Sequence, residues 1–507
     1  MKTSSILRDS LCESIIDMVK TQAEENGDEI AVYTKKDSIN YRELIERASI
    51  IAGYMKTIGI KKGDFVILEA VSDISYVLTY LAIQIVGAIS SPVERGVQLE
   101  KLEYEISLVG AVYYFSRNDN RIKSAPTMHY DELLAEANDW NLPLEYERPL
   151  PSDIREVIFT TGTTGKSKAT LHSTLNIETN TVNTVKGIGI NSSDIVLIPL
   201  PLNHSFGMRV LRAVFSVGGA VVLQSGAVFS SAIIENIRKF NCTAMASVSA
   251  TMESVIREIG EEMVSKEFSS LRYIEFSAGA VSVPLRKKLL KLLPNTRLFN
   301  TWGSSESGGC VFMEFSKRSD KINALGVPIN GIRLGIWSDE QNDFLKGCGK
   351  EKIGRLAIKG NMIFSGYLHE ENKYKESVDK GWMKTADLVW RDDENFYYIL
   401  GRADDIINVG GEKVAQRELE DIASLIPGIE DCACIGVEDK SGLLGHIPVL
   451  YYTGSVELDE EAAKGVFVKK IGNMLMPREY IRIEEIPRNY MKKKDYKALK
   501  KIYDGNN

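Results

Sequence analysis

A chain of 507 residues, 44% hydrophobic and 26% charged, is long enough for more than one core and ordinary for a globular protein. Its net charge of −7 argues against bulk nucleic-acid binding. No run of about 18 apolar residues occurs, so no membrane span is expected, and the charges through Met1–Ser14 leave no apolar core for a signal peptide. Six cysteines (Cys12, Cys242, Cys310, Cys348, Cys432, Cys434) and five histidines are scattered without metal-ligand spacing. They read as buried free thiols in a reducing cytoplasm, with a thiol nucleophile as the alternative.

In chain order, residues 10–60 read mainly as helix, with an amphipathic run from Tyr41 to Ile58. Asp64–Leu68 reads as a strand, Val77–Val86 as an apolar helix ending at Gly87, and Ala88–Val93 as a second strand. The alternation continues: strand Ile195–Pro199, helix Val210–Val217, strand Ala220–Leu223, helix Ile233–Phe240, strand Ala244–Val248. This βα rhythm predicts a layered α/β architecture with largely parallel sheets. From about Gly354, short alternating strands (Leu356–Lys359, Asn395–Leu400) predict a small β subdomain. Gly401–Asp405 marks a boundary. Beyond it helix Gln416–Leu425, strands Asp431–Gly436 and Pro448–Thr453, helix Glu460–Met474 and strand Tyr480–Ile483 predict a compact α+β unit. The lysine-rich Met491–Lys501 reads, as a bare charge run, as a solvated tail.

Five stretches carry chemistry. Thr160-Thr161-Gly162-Thr163-Thr164-Gly165-Lys166-Ser167-Lys168 follows the strand signal Val157–Phe159 and combines hydroxyls, glycines and lysines. Such a loop presents N–H groups, hydroxyls and ammoniums to an anion, or it is a polar surface turn. It is not a Walker loop, because the spacing demands a glycine where Thr160 stands. Asn300–Gly309 places Glu306 among small residues at a strand end, as a Mg²⁺ or ribose contact or simply as loop. Asp387, in Trp382–Asp387, suits a ribose diol or a turn cap. The last two are Gly401–Val414 and Pro487–Lys494.

In order and spacing these stretches resemble the adenylate-forming superfamily: acyl- and aryl-CoA synthetases, peptide-synthetase adenylation domains and firefly luciferase. The resemblance runs from about Tyr41 to Lys497. Thr160–Lys168 is similar to that family's Thr-Ser-Gly-Ser/Thr-Thr-Gly-x-Pro-Lys-Gly, Trp302–Glu306 to its Tyr-Gly-x-Thr-Glu, and Gly354–Tyr367 to its Gly-Glu-Leu…Gly-Tyr segment. Thr385-Ala386-Asp387 is similar to Thr-Gly-Asp, Gly401–Glu420 to Gly-Arg-x-Asp-Asp…Glu-x-Glu, and Pro487–Lys493 to a degraded Pro-x-Thr-x-x-Gly-Lys. Ser167 and Ala169 depart from the loop's proline and glycine, Trp302 from tyrosine, and Lys492 from the glycine before the catalytic lysine.

The resemblance implies an α/β fold: a large N-terminal domain of layered α/β sheets with a small β subdomain (1–401), then a small mobile α+β C-terminal domain (402–507). It implies an ATP-dependent carboxylic acid–CoA ligase that forms an acyl-AMP with release of pyrophosphate and then a thioester. ATP, Mg²⁺ and CoA are the implied cofactors and partners, with a carrier-protein phosphopantetheine as the alternative acceptor. Thr160, Thr161, Gly162, Thr163, Thr164 and Lys168 would hold the β- and γ-phosphates, and Glu306 the Mg²⁺. Ser305 would touch the α-phosphate. Ala278, Gly279, Ala280 and Trp302 would sandwich adenine, and Asp387 would bind the ribose with Arg402 nearby. Lys493 would bridge carboxylate and α-phosphate, with Lys492 and Lys494 as the alternative registers. Asp404 matches the hinge, and Gly410 and Gly411 the pantetheine tunnel.

Pro201–Gly207 is similar to the stretch that carries His or an aromatic in acyl- and aryl-CoA synthetases. It lacks the Asp with which amino-acid-activating members pair an α-ammonium, so an acid without an α-amino group is expected. His204 would sit beside the carboxylate, or it is a packed loop histidine. Ala246, Ser247, Val248, Ser277 and Gly303, with Gly279, would line a pocket whose small residues leave room for an aromatic or medium-chain acid. Arg209 reads as a partner for a second anionic group, or as a surface or salt-bridge residue. A non-catalytic nucleotide-binding relative is the remaining alternative.

Overall fold

The computed structural model describes residues 13–117, 122–161, 167–226, 229–279, 281–329, 331–454, 457–488 and 494–505, with Thr161, Asp404 and Lys413 as backbone only. It is a mixed α/β protein with a large N-terminal and a small C-terminal domain. A nine-stranded sheet runs Val327–Pro328, Gly308–Glu314, Arg297–Ser304, Tyr273–Phe276, Ala244–Ser247, Ile195–Ile198, Ala220–Leu223, Ile30–Tyr33, Ser38–Asn40. From Arg297–Ser304 to Ile30–Tyr33 neighbouring strands are parallel, and the edges are closed by antiparallel hairpins. The central strands are buried throughout, which is why they read as short continuous apolar runs.

A seven-stranded sheet runs Gly366–Tyr367, Ser167–Ser173, Ile154–Thr161, Ile89–Val93, Phe65–Glu69, Tyr113–Ser116, Thr127–His129. Helix Ile74–Val86, with twelve of its thirteen residues buried, and helix Ser205–Ser216 share one hydrophobic core with both large sheets. An all-round apolar helix belongs in such a place.

Three expectations are corrected. Residues 10–60 are not continuous helix: helices Ile15–Glu25 and Tyr41–Thr57 flank a hairpin, Ile30–Tyr33 with Ser38–Asn40. Asn40 ends the hairpin and caps the second helix through a reciprocal bond with Glu43. The small β subdomain begins earlier than Gly354, because Arg333–Ser338 pairs with Gly354–Lys359 in a six-stranded antiparallel sheet. The C-terminal lysine run is not a solvated tail. Tyr496–Gly505 is a helix whose Leu499 and Tyr503, one turn apart, are buried against the sheet Asp431–Glu438, His446–Thr453, Glu479–Arg482. Among the described residues no helix is long and apolar enough to cross a membrane.

Candidate active site

Parallel strands bring their carboxyl ends to one edge of the nine-stranded sheet, and ligands in open α/β sheets bind in that crevice. Strand Ala244–Ser247 leads into Val248, strand Tyr273–Phe276 into Ser277–Gly279, and strand Ile195–Ile198 into the loop ending at His204. The ladder aligns these ends: Ser247 pairs with Phe276, and Phe276 with Asn300. Ser277 N–H donates to Ser247 O at 3.3 Å and its hydroxyl to Thr301 O at 2.9 Å. Ala246, Ser247 and Ser277 are therefore buried and held together. Ala278 adopts φ +63, a region costly for a residue with a Cβ, so the turn is strained where it meets the crevice.

His204 is the N-terminal cap residue of helix Ser205–Ser216, half-buried, and its side chain makes no capping bond. Gly207 lets the loop before it close, since a Cβ there would lie 2.8 Å from Pro201 O.

The strand Arg297–Ser304 turns back into Gly308–Glu314. Gly303 permits this, because a Cβ there would lie 2.0 Å from the carbonyl oxygen of Gly308. Ser304 and Ser307 lock the turn: Ser304 N–H donates to Ser307 Oγ at 2.8 Å and Ser307 N–H to Ser304 Oγ at 3.2 Å. Ser305 and Glu306 sit half-buried at its tip. The Glu306 carbonyl accepts from Phe364 N–H at 2.8 Å, and Tyr367 O–H donates to Glu306 Oε1 at 3.1 Å. A hard carboxylate oriented by one such bond suits Mg²⁺, which takes one or two carboxylates plus substrate phosphates.

Trp302 Nε1–H donates to Asp387 Oδ2 at 3.1 Å, so the adenine and ribose candidates touch. Asp387 pairs in register with Arg402. Burial pushes the Asp387 carboxyl above the usual range, and the Arg402 guanidinium and the Trp302 bond pull it back. Arg417, on helix Gln416–Ala423, adds a further positive charge from the C-terminal domain.

The hairpin of the phosphate-loop candidate is formed by Ile154–Thr161 and Ser167–Ser173, with Thr160 opposite Lys168. Ser167, where the family pattern has proline, is buried and donates to Glu105 Oε1 at 2.7 Å. The side chain thus anchors the strand by a hydrogen bond. Ala169 is buried too, and its carbonyl accepts from Leu368 N–H at 2.9 Å, joining the hairpin to the segment that holds Tyr367. Gly162, Thr163, Thr164, Ala280, Lys492 and Lys493, and the side chains of Thr161 and Asp404, lie outside the described residues.

Arg209 is a salt-bridge residue, as one of its two readings had it, but a buried one and not on the surface. It is buried, donates to Glu275 Oε1 at 2.6 Å and to Thr184 Oγ1 at 3.0 Å, and runs beneath Gly309. Glu275 Oε1 also accepts from Thr301 Oγ1 at 2.7 Å, so this ion pair supports the strand that carries Trp302. Sequence reading passed over Glu275; the signal was a lone carboxylate in the apolar strand Tyr273–Phe276, which requires a partner.

In the C-terminal domain Gly410 (φ +61) and Gly411 (φ +94) form the two-residue turn between Ile406–Val409 and Glu412–Ala415. Both positive φ values explain the glycine pair. The turn bonds to Leu444 and Asn408 within that domain. Lys494 donates to Glu420 Oε2 at 2.7 Å and lies 3.9 Å from Asp431 Oδ1. Tyr496 O–H and Cys434 N–H also bond Glu420, at 3.0 Å each. Burial lowers the Lys494 pKa, but Glu420 and its neighbours raise it above the ordinary value overall. The ammonium of Lys494 is thereby committed to a structural cluster. Arg488, which bridges to Lys494, bonds Asp431 at 2.6 Å, and this group faces Glu253 on helix Ser249–Ile259. Four of the cysteines (Cys242, Cys310, Cys432, Cys434) are buried as expected, whereas Cys348 is exposed. Burial raises the thiols of Cys242, Cys310 and Cys432 to about 12, which leaves them protonated.

A family description of AMP-binding enzymes matches residues 19–368, and that of the AMP-binding enzyme C-terminal domain matches 418–493. A 2-succinylbenzoate–CoA ligase of Bacillus cereus (strain Q1) is 23% identical over 485 residues, covering 94% of this chain and 96% of the relative. The o-succinylbenzoate CoA synthetase of Bacillus subtilis, solved with the acyl-adenylate OSB-AMP, superposes with a TM-score of 0.84 at 22% identity, covering 95% of this chain and 97% of its own. ATP-bound MatB of Rhodopseudomonas palustris gives 0.87 at 20% identity, covering 97% and 99%. With two thirds of its length under the first family description, and the second following in the expected order, the chain belongs to the AMP-binding enzymes of the adenylate-forming superfamily.

Proposed function

We propose that the chain is an AMP-forming carboxylic acid–CoA ligase acting on an acid without an α-amino group, with an aromatic acid preferred. The observation that carries this is the meeting of Trp302 with Asp387 and of Tyr367 with Glu306 where strand Arg297–Ser304 of the nine-stranded sheet turns back and the other two sheets reach it. The CoA-ligase names of full-length relatives support CoA as the acceptor, and 2-succinylbenzoate in those names supports an aromatic acid.

In the first half-reaction a carboxylate oxygen of the acid bonds to the ATP α-phosphorus and the bond to the β-phosphate bridge breaks, releasing pyrophosphate. Anion meets anion, so positioning and charge neutralisation supply most of the catalysis. Thr160–Thr164 and Lys168 hold the leaving pyrophosphate, and Ser305 the α-phosphate. Glu306 holds Mg²⁺, which supplies charge neutralisation on the phosphates when bound. Ala278, Gly279, Ala280 and Trp302 stack adenine, and Asp387 accepts from the ribose hydroxyls beside Arg402. His204 orients the acid, whose tail enters the space lined by Ala246, Ser247, Val248, Ser277 and Gly303. Lys493 bridges carboxylate and α-phosphate; the engagement of Lys494 by Glu420 supports this register over Lys494. In the second half-reaction the CoA sulfur bonds to the acyl carbon and AMP leaves with the bonding pair, after the domain 402–507 turns about Asp404 and presents Gly410–Gly411. The location is cytoplasmic.

ATP–pyrophosphate exchange across a panel of aromatic, aliphatic and amino acids tests the reading. Exchange with an aromatic or medium-chain acid, followed by thioester formation with CoA, is expected. Exchange with amino acids alone, or thioester formation on a carrier protein but not on CoA, overturns it.

A further inference from the structure

The phenol of Tyr367 is the group that holds the Glu306 side chain. Glu306 stands at the tip of a turn whose backbone is locked by Ser304 and Ser307. Its carbonyl accepts from Phe364 N–H at 2.8 Å, which fixes the main chain and leaves the side-chain torsions unset. Tyr367 O–H donates to Oε1 at 3.1 Å, from 61 positions away in the chain.

The donor is itself anchored. Gly366 and Tyr367 pair with Leu171 and Thr170 of the seven-stranded sheet, and Ser365 N–H and Leu368 N–H donate to Leu171 O at 2.8 Å and Ala169 O at 2.9 Å. The Phe364 ring packs edge-on against the Tyr367 ring at 4.7 Å. Segment 364–368 thus straps the turn of the nine-stranded sheet to the seven-stranded sheet, and the phenol is set by both. Glu275 and Glu420 are closed on Arg209 and Lys494, which neutralise them. Glu306 is bonded instead by a neutral phenol, which orients a carboxylate and leaves its charge for a cation. Packing alone asks only that a half-buried tyrosine hydroxyl find some acceptor; the acceptor here is the carboxylate at the tip of the crevice turn.

Resting on the reading of Glu306 as the Mg²⁺ carboxylate, we infer that Tyr367 is a positioning residue for the metal: it pins Oε1 of Glu306 and leaves Oε2 for the ion that accompanies the ATP phosphates. Groups that orient a metal ligand from behind set about 10- to 100-fold of metal affinity. The effect of Tyr367 belongs to Mg²⁺-ATP and not to AMP, and it passes wholly through Glu306.

Titration calorimetry of the full chain with Mg²⁺-ATP, with ATP in EDTA and with AMP tests this for wild type, Tyr367→Phe, Glu306→Gln and the double variant. Phenylalanine keeps the ring and its packing and removes only the hydroxyl. The gain in ATP affinity that Mg²⁺ brings is expected to fall by about tenfold in Tyr367→Phe, while ATP in EDTA and AMP stay within about twofold. In Glu306→Gln that gain is lost, and adding Tyr367→Phe changes nothing further, the non-additivity of two residues that act through one contact. An unchanged Mg²⁺ gain in Tyr367→Phe, an equal loss for AMP, or the same loss in the Glu306→Gln background overturns the assignment. No Mg²⁺ gain in the wild type, or an undiminished one in Glu306→Gln, overturns the reading of Glu306 as the metal carboxylate, and this assignment with it.

Discussion

The indole N–H of Trp302 donates to the Asp387 carboxylate at 3.1 Å, joining two residues 85 positions apart in the chain. Trp302 lies in a strand of the nine-stranded sheet and Asp387 in the six-stranded sheet, so the bond spans the seam between two subdomains. It also presents an indole face and a carboxylate side by side, as a nucleoside requires.

Asp387→Asn is expected to separate affinity from stability. Burial raises the Asp387 carboxyl pKa in the fold, Arg402 and Trp302 opposing. A group with a raised folded pKa favours the fold when protonated; that contribution is full below the unfolded pKa and lost as pH rises through the folded value. The charged form is thus a cost at neutral pH that Asn removes, while amide oxygen can still accept from Trp302. Thermal unfolding should show an equal or higher Tm for Asp387→Asn at neutral pH, with the advantage vanishing in acid. ATP affinity should fall by roughly 10- to 100-fold through lost charge-assisted bonds to the ribose.

Neighbouring lysines should fail in different ways. Lys494→Met leaves Glu420 partly buried without its ammonium and should cost about 1–3 kcal/mol, read as a lower denaturant midpoint. Lys493→Ala should leave that midpoint unchanged, abolish ATP–pyrophosphate exchange, and still form thioester from supplied acyl-adenylate. Full exchange activity in Lys493→Ala would remove it from the chemistry.

Arg209→Met should act through Glu275. Removing one partner of this buried pair is expected to cost about 3–5 kcal/mol, and the double change with Glu275→Gln should recover part of it. Urea unfolding of the two singles and the double measures the coupling. A raised KM for the acid with unaltered stability would instead mean that Arg209 pairs a second anionic group of the substrate.

Asp404→Pro addresses the two half-reactions. Asp404 lies in the short turn Ala403–Asp405 between strands Tyr397–Arg402 and Ile406–Val409. Proline fixes φ there and restricts the residue before it. Pyrophosphate exchange should persist while thioester formation falls; equal loss of both would show that no hinge operates at this position.

Much of the fold was legible because buried parallel strands and amphipathic helices leave periodic apolar runs, as at Ile195–Ile198 and Ala220–Leu223. The hairpin within 10–60 was not, since Ile30–Tyr33 and Ser38–Asn40 are too short to show a period and their capping Asn40 reads as part of a helix. Leu499 and Tyr503 were masked by the lysines around them, although their four-residue spacing is helical.

By itself the sequence determined the family and the order of the site residues, because glycine turns, hydroxyl loops and carboxylates at strand ends are local demands of phosphate and ribose chemistry. Only the tertiary structure decided which charges are already spent. Arg209 and Lys494 carry the same charge as Lys168, yet the first two are closed on Glu275 and Glu420 while Lys168 stands opposite Thr160 in the phosphate-loop hairpin. Pairing depends on which strands lie side by side, and residues 66 and 74 positions apart meet only when the sheet and the C-terminal domain have formed.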